Sequence, residues 1–190
     1  MTREMLLPDG AKRRVERFVD VFLEHRTDVS VVVPMAMRDG PATDDGWWPW
    51  KAVDSPVQPE DVLRLEARAG AEFPPLFRAY LTHKCLLMTE FCVALPETPF
   101  DNPLGQLEVF LDLRNTSFFR DADLLPFGAD PDGGGPACFD IASRDSSGDC
   151  PVVLVDMGRL EEVGYRGRRV FESFAELLDC VEEEMLSFGE

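Results

Sequence analysis

The sequence predicts an α+β fold, an antiparallel β-sheet flanked by helices, with a helix pair before the sheet and one helix after it. Three observations carry that expectation. Leu124 to Asp156 holds three short apolar runs separated by two loops of Asp, Ser, Gly and Pro, the spacing of an antiparallel meander. Residues 59 to 83 read as helix, tight link, helix, each helix opened by proline. Ser173 followed by Glu176 forms a capping box ahead of a last helical stripe. Helices that precede and follow the strands, instead of alternating with each one, describe an antiparallel sheet packed on one face by helices.

From the start of the chain, Val15, Phe18, Val19, Phe22 and Leu23 make the stripe of an amphipathic helix over residues 10 to 26, with Arg13, Glu16, Arg17, Asp20 and Glu24 opposite. Val29 to Met35 is β-branched and strand-like, and the polar stretch Arg38 to Asp45 ends it. In WWPWKAVDSP, Pro49 and Pro56 forbid a long helix. Trp50 is expected in the core, while Trp47 is equally suited to packing or to anchoring an interface. The second helix begins near Pro59, with Glu60 and Asp61 at the positive end of its dipole, Val62, Leu65 and Ala69 inward, and Gly70 as its stop. The third runs from the Pro74–Pro75 pair to about His83, with Phe77, Tyr80 and Leu81 inward. Leu86 to Ala94 and Leu107 to Leu111 are strand-like apolar runs divided by the proline-rich loop Pro96 to Pro103, and Phe118 and Phe119 are placed to close the sheet. Phe174, Leu177, Leu178, Val181 and Met185 line the last helix, whose far end holds Glu182, Glu183 and Glu184 against the dipole.

A chain of 190 residues with 45% apolar content suits one domain with a sizeable core. Its 36 acidic against 19 basic side chains give a net charge of −17, and residues 1 to 40 cancel, so the excess lies downstream. That sign disfavours nucleic acid and anionic membrane as partners and favours solubility. No run spans a bilayer and Met1 to Gly10 has no apolar signal centre, so a cytoplasmic location is expected. Cysteines at 85, 92, 138, 150 and 180 are odd in number and lack CxxC spacing, which reads as reduced, mostly buried thiols and no zinc site. Arginine outnumbers lysine 16 to 3, a codon signature of a GC-rich bacterial genome.

Along VLRLEARAGAEFPPLFRAYL, residues 62 to 81, Glu66, Gly70, Phe73, Pro74, Phe77 and Arg78 fill the helix, glycine, proline, helix pattern of the SUKH superfamily, and the segment resembles that family. LLPFG at 124 to 128, CFD at 138 to 140, PVVLVD at 151 to 156 and FESFAELL at 171 to 178 resemble its later strands and final helix, in order, and Trp48 or Trp50 its upstream tryptophan. His83, Lys84 and Cys85 depart from it where an Asn-Gly turn is usual. The resemblance covers about residues 47 to 186, giving a SUKH-like domain over 47–190 and a packed N-terminal extension over 1–46, a helix and a strand. It implies a non-enzymatic binding protein, since the superfamily includes fungal Smi/Knr cell-wall regulators and bacterial immunity proteins that neutralise toxin domains, often nucleases.

The partner expected from that likeness and from the charge is a cognate basic protein toxin, because a nuclease carries a basic cleft that an acidic inhibitor can occupy. The alternative is a regulatory or scaffold protein of the same fold acting on a cytosolic partner. Candidate contacts are Asp130 and Asp132 in one meander loop, Asp145 and Asp149 in the other, the trio Glu182, Glu183 and Glu184, Asp101 and Trp47; the meander loops are expected to form one negative rim. No catalytic residue, metal ligand or cofactor is expected. Twelve positions from Asp130 end at Ile141 where a calcium loop needs Glu, and no nucleophile elbow, P-loop or HExxH occurs. His83 and Cys85, two positions apart, read as packing residues.

Overall fold

The computed structural model describes residues 8–25, 29–87 and 90–187. Helix α1 (Asp9–His25) forms where the periodicity places it, burying Val15, Phe18, Val19 and Phe22. It lies across α3 (Pro75–His83) and α6 (Phe174–Ser187). Arg26 and Arg3 lie outside the described residues, as do Asp28 and the first seven positions.

The expected strand over 29–35 shrinks to β1 (Val29–Ser30), paired antiparallel with β2 (Trp48–Pro49). The chain bends at Val31 and Val32, makes a 3-10 turn at Met35–Met37 and returns to bridge Arg38 with Trp50. Pro34, further on, has no N–H to donate, so the ladder is not resumed before the 3-10 turn. Trp50 is buried against Phe22, with ring centroids 6.3 Å apart. Two short strands, β3 (Val53–Asp54) and β4 (Lys84–Cys85), then brace the helix pair from outside.

Helix α2 (Pro59–Ala69) ends at Gly70, whose φ of 66° is left-handed and therefore favours glycine. Between α2 and α3 the chain is locked by Glu66: its Oε1 accepts from Phe73 N at 2.7 Å and from Arg78 Nε at 2.6 Å. Phe77 then sits at the centre of an aromatic cluster, with centroids 5.2–5.9 Å from Phe73, Tyr80, Phe127, Phe139 and Phe174. Phe73, Pro74 and Phe77 of the helix, proline, helix pattern thus lie in the core, with Glu66 buried beside them.

Leu107 to Leu111 is not a strand. It lies within α4 (Gly105–Asp112), because Leu107, Phe110 and Leu111 also stand at i, i+3 and i+4; Leu107 and Leu111 are buried, and Val109 faces out. Leu86 to Ala94 yields no strand either: among its described residues only Glu90 and Ala94 form bridges, and Ala94 exchanges backbone hydrogen bonds of 2.9 and 3.0 Å with Ala129. Gly128 makes that approach possible, since a Cβ there would lie 2.5 Å from the Ala94 carbonyl oxygen. Phe118 and Phe119 fall in the short helix α5 (Ser117–Asp121).

The meander forms as expected and gains a fourth strand. β5 (Leu124–Ala129), β6 (Pro136–Asp140), β7 (Val152–Leu154) and β8 (Arg168–Phe171) run in that order, all antiparallel. Every residue of β6 is buried because both sheet faces are covered. Leu125, Phe127, Ala137, Phe139, Val152 and Leu154 face the main core, together with α1, α3 and α6. Leu124, Cys138 and Val153 instead face a smaller cluster with Phe119, and Phe118 and Tyr165 close over it. Helical packing is therefore not confined to one face.

Candidate protein-binding surface

Two of the expected contact carboxylates prove to be structural. Asp149 is buried at the start of α6, where Oδ1 accepts from Cys150 N at 2.7 Å and Phe174 N at 3.1 Å, and Oδ2 accepts from Ala175 N at 3.2 Å. Ser173 Oγ accepts from Glu176 N at 3.0 Å, the expected half of the capping box, while the Glu176 carboxylate turns to Glu172 N instead of Ser173 N. Asp149 thus caps a helix and does not form part of an open rim. Glu182 is buried between α6 and α1, where it pairs with Arg14 and, at 3.5 Å, with Arg17. Arg14 also reaches Asp179 at 2.5 Å. This answers the dipole penalty at the helix end: Glu182 faces cations from another element, leaving Glu183 exposed and Glu184 half-buried.

The single negative rim expected from the meander loops does not exist. Successive hairpin loops leave opposite ends of a meander, so Asp130 and Asp132, between β5 and β6, lie away from Asp145 and Asp149, between β6 and β7. Asp145 spends its carboxylate locally: Oδ1 accepts from Ser147 Oγ at 2.6 Å, Ser147 N at 2.8 Å and Asp149 N at 2.9 Å. The Ser147 hydroxyl is the first cause that lowers its pKa, with loop amides adding to it.

What the sequence reading missed is the loop that shares an end with Asp130 and Asp132. The connection from β7 to β8 returns there, joined by Met157 N to Gly134 O at 3.4 Å and Val155 N to Pro136 O at 3.0 Å. Asp156, Glu161 and Glu162 on this connection are exposed, as are Met157 and Val163, and its later part folds back over the sheet, where Tyr165 packs on Phe118 and Arg166 reaches the Ala122 carbonyl and Asp140. Arg159 is engaged by Glu162 at 2.7 Å and lies over the Tyr165 ring. Neither Asp132 nor Glu161 forms an ion pair among the described residues, so both loops offer unpaired carboxylates, with exposed Arg168, opposite Leu154, as a cation at the same end. The period-two signal of residues 160 to 170 is weak, because β8 is a half-exposed edge strand. Asp101 lies in an exposed turn before α4.

Other features are poor foundations for chemistry. Cys85 is buried and its thiol is pushed up to about 11 by burial, while burial and neighbouring Lys84 depress the pKa of His83. A protonated thiol beside a weak base is not an activated nucleophile. An open concavity of about 560 Å³ lies along α2, lined by Glu60, Leu63, Ala67 and Glu72, with Glu66 bound to Phe73 and Arg78 at its wall. Among the described residues no three His, Cys, Asp or Glu side chains gather as a cation site, and no helix is long and apolar enough to cross a membrane.

Family comparison agrees with this architecture. The sequence profile of the SMI1/KNR4 family (SUKH-1) matches residues 56–180, from just before α2 into α6. The chain belongs to the SMI1/KNR4 family. Proteins of this SUKH group are known as toxin-immunity proteins and are generally not enzymes. No curated protein matches the chain. The matched span includes the Glu66–Arg78 lock, the Phe77 cluster and the whole four-stranded sheet; α1, β1, β2 and β3 lie before it.

Proposed function

We propose that this SMI1/KNR4-family protein is an immunity protein that neutralises a basic toxin domain, most consistently a nuclease of a bacterial competition system, by stoichiometric binding in the cytoplasm. The acidic loops carry the reading: Asp130 and Asp132 lie in the β5–β6 loop and Asp156, Glu161 and Glu162 in the β7–β8 connection, against Arg159, Arg166 and Arg168. A protein that handles phosphate substrates must present cations, and a face of this sign both steers such a partner and competes for its cleft. The net charge of −17 extends the attraction beyond contact distance. Glu183, Glu184 and Asp101 are further exposed or half-exposed carboxylates that add to the field. Asp145 belongs to it by charge, though its hydrogen bonds serve its own loop.

The test is coexpression with the toxin domain encoded beside this gene. Cells carrying both should grow, cells carrying the toxin alone should not, and association should weaken as salt rises. Failure of the intact chain to protect defeats the reading. A regulatory or scaffold role on a cytosolic partner is the second reading; it gains from the fungal regulators of the superfamily and would show as a partner without toxicity.

A further inference from the structure

Exposed apolar side chains concentrate in one small ribbon outside the segment that the family profile matches. Val31, Val32 and Met35 are 59%, 77% and 81% exposed, and Trp47 is 39% exposed. Ser30 pairs with Trp48, so Val31 and Trp47 each stand one residue beyond that pair. Such residues are normally buried, and four on one excursion of chain exceed the single scattered apolar residues that need no explanation.

The ribbon is held in place. Arg38 lies 3.8 Å over the Trp48 ring and donates Nε to Val33 O at 3.1 Å; Asp39 N donates to Pro49 O at 2.9 Å and Lys51 N to Met37 O at 2.8 Å. Trp50 and Met37 root it in the core. A preformed apolar surface of this kind loses little conformational entropy on binding. Its neighbour is acidic: Thr43 N donates to Trp47 O at 2.7 Å, closing a turn whose tip is Asp44 and Asp45. Both are exposed, and neither meets a cation among the described residues. An apolar centre with an anionic border fits an apolar pocket set in a cationic surface.

We infer that Val31, Val32, Met35 and Trp47 form the specificity anchor for the basic toxin domain, with Asp44 and Asp45 as its charged border. This rests on the immunity reading above and goes beyond it by naming the surface. The net charge of −17 attracts any cationic protein, whereas an apolar anchor discriminates among them, since a few buried side chains dominate interface energy. All four side chains lie before residue 56, outside the segment that the family profile matches.

Site-directed photocrosslinking in the full chain tests it, with a benzophenone amino acid at Val32 and, as a control, at Val109 on α4. Val32 should crosslink to the coexpressed toxin domain and Val109 should not. V32D/M35D should weaken toxin binding about 100-fold with an unchanged melting temperature, and D44N/D45N should reduce its salt dependence. Protection by the wild type together with undiminished binding by V32D/M35D overturns the anchor and leaves the immunity reading intact. Loss of protection by the wild type removes both. A Val32 crosslink to a second copy of this chain, or to an acidic protein, also overturns the anchor.

Discussion

Cys92 and Cys180 meet with their sulfurs 3.6 Å apart, though 88 positions separate them in sequence. Cys85, Cys138 and Cys150 are buried, whereas this pair is partly exposed. Burial and contact with Cys180 push the Cys92 thiol up to about 12, so the pair should react slowly. Diamide should nevertheless join them: two thiols surrender two electrons and two protons to the azo oxidant, forming one disulfide and a hydrazine. Peptide mapping should find Cys92 bonded to Cys180 in the folded protein, and Cys180→Ser should abolish the bond. A different pairing would show that the observed contact does not govern thiol reactivity. His83 gives a second residue-scale expectation. Burial, then Lys84, lowers its folded-state pKa below the ordinary 6.5. The unfolded chain therefore binds a proton first, so the contribution to stability is full above that value and fades as pH falls through it. His83→Gln should show a shallower loss of stability between about pH 7 and about pH 5 in chemical denaturation.

Among the elements, α6 depends on a carboxylate from a loop far away in sequence. Asp149 accepts three backbone amides, two of them in the helix's first turn. Asp149→Ala should cost about 1–3 kcal/mol in denaturant unfolding, while Asp145→Ala, removing an exposed loop acceptor, should cost less. A long-range cap of this kind cannot be read from Ser173 and Glu176, which announce only the local one. Helices α1, α2, α3 and α6 were legible because apolar period and end signals agree; α2 and α3 have proline starts, and α2 has its glycine stop. Leu107 to Leu111 misled because five residues with Val and Phe satisfy a strand by composition and a helix by spacing. The strand expected over 29–35 stops at Ser30, where the chain bends at Val31 and Val32, and β8 escaped notice because two of its four residues are exposed and the other two only partly buried. The acidic excess was legible as charge but not as place. Which carboxylate is consumed by an amide or an arginine depends on tertiary neighbours, as Asp149 and Glu182 demonstrate, and Val32 and Met35 look like core residues until the chain turns them outward.

At the scale of the whole molecule, acidic residues serve separate purposes. Glu66, Asp149 and Glu182 hold elements together from within; Asp132, Glu161 and Glu183 remain available to solvent. Substituting the first set should change stability and leave a partner's salt sensitivity alone, and substituting the second should do the reverse, as calorimetry and binding titrations would distinguish.

Helix α1 contributes Val15, Phe18, Val19 and Phe22 to the same apolar interior as Phe77 and Phe174, and it alone brings Arg14 to Glu182. Trimming the protein to residues 47–190 would therefore strip a wall from the building: Tyr80 would lose the Phe18 ring 6.3 Å away, and an interior anion would lose its counterion. Such a shortened product should collect in inclusion bodies, and adding a synthetic peptide of residues 8–25 in trans should restore solubility by noncovalent complementation.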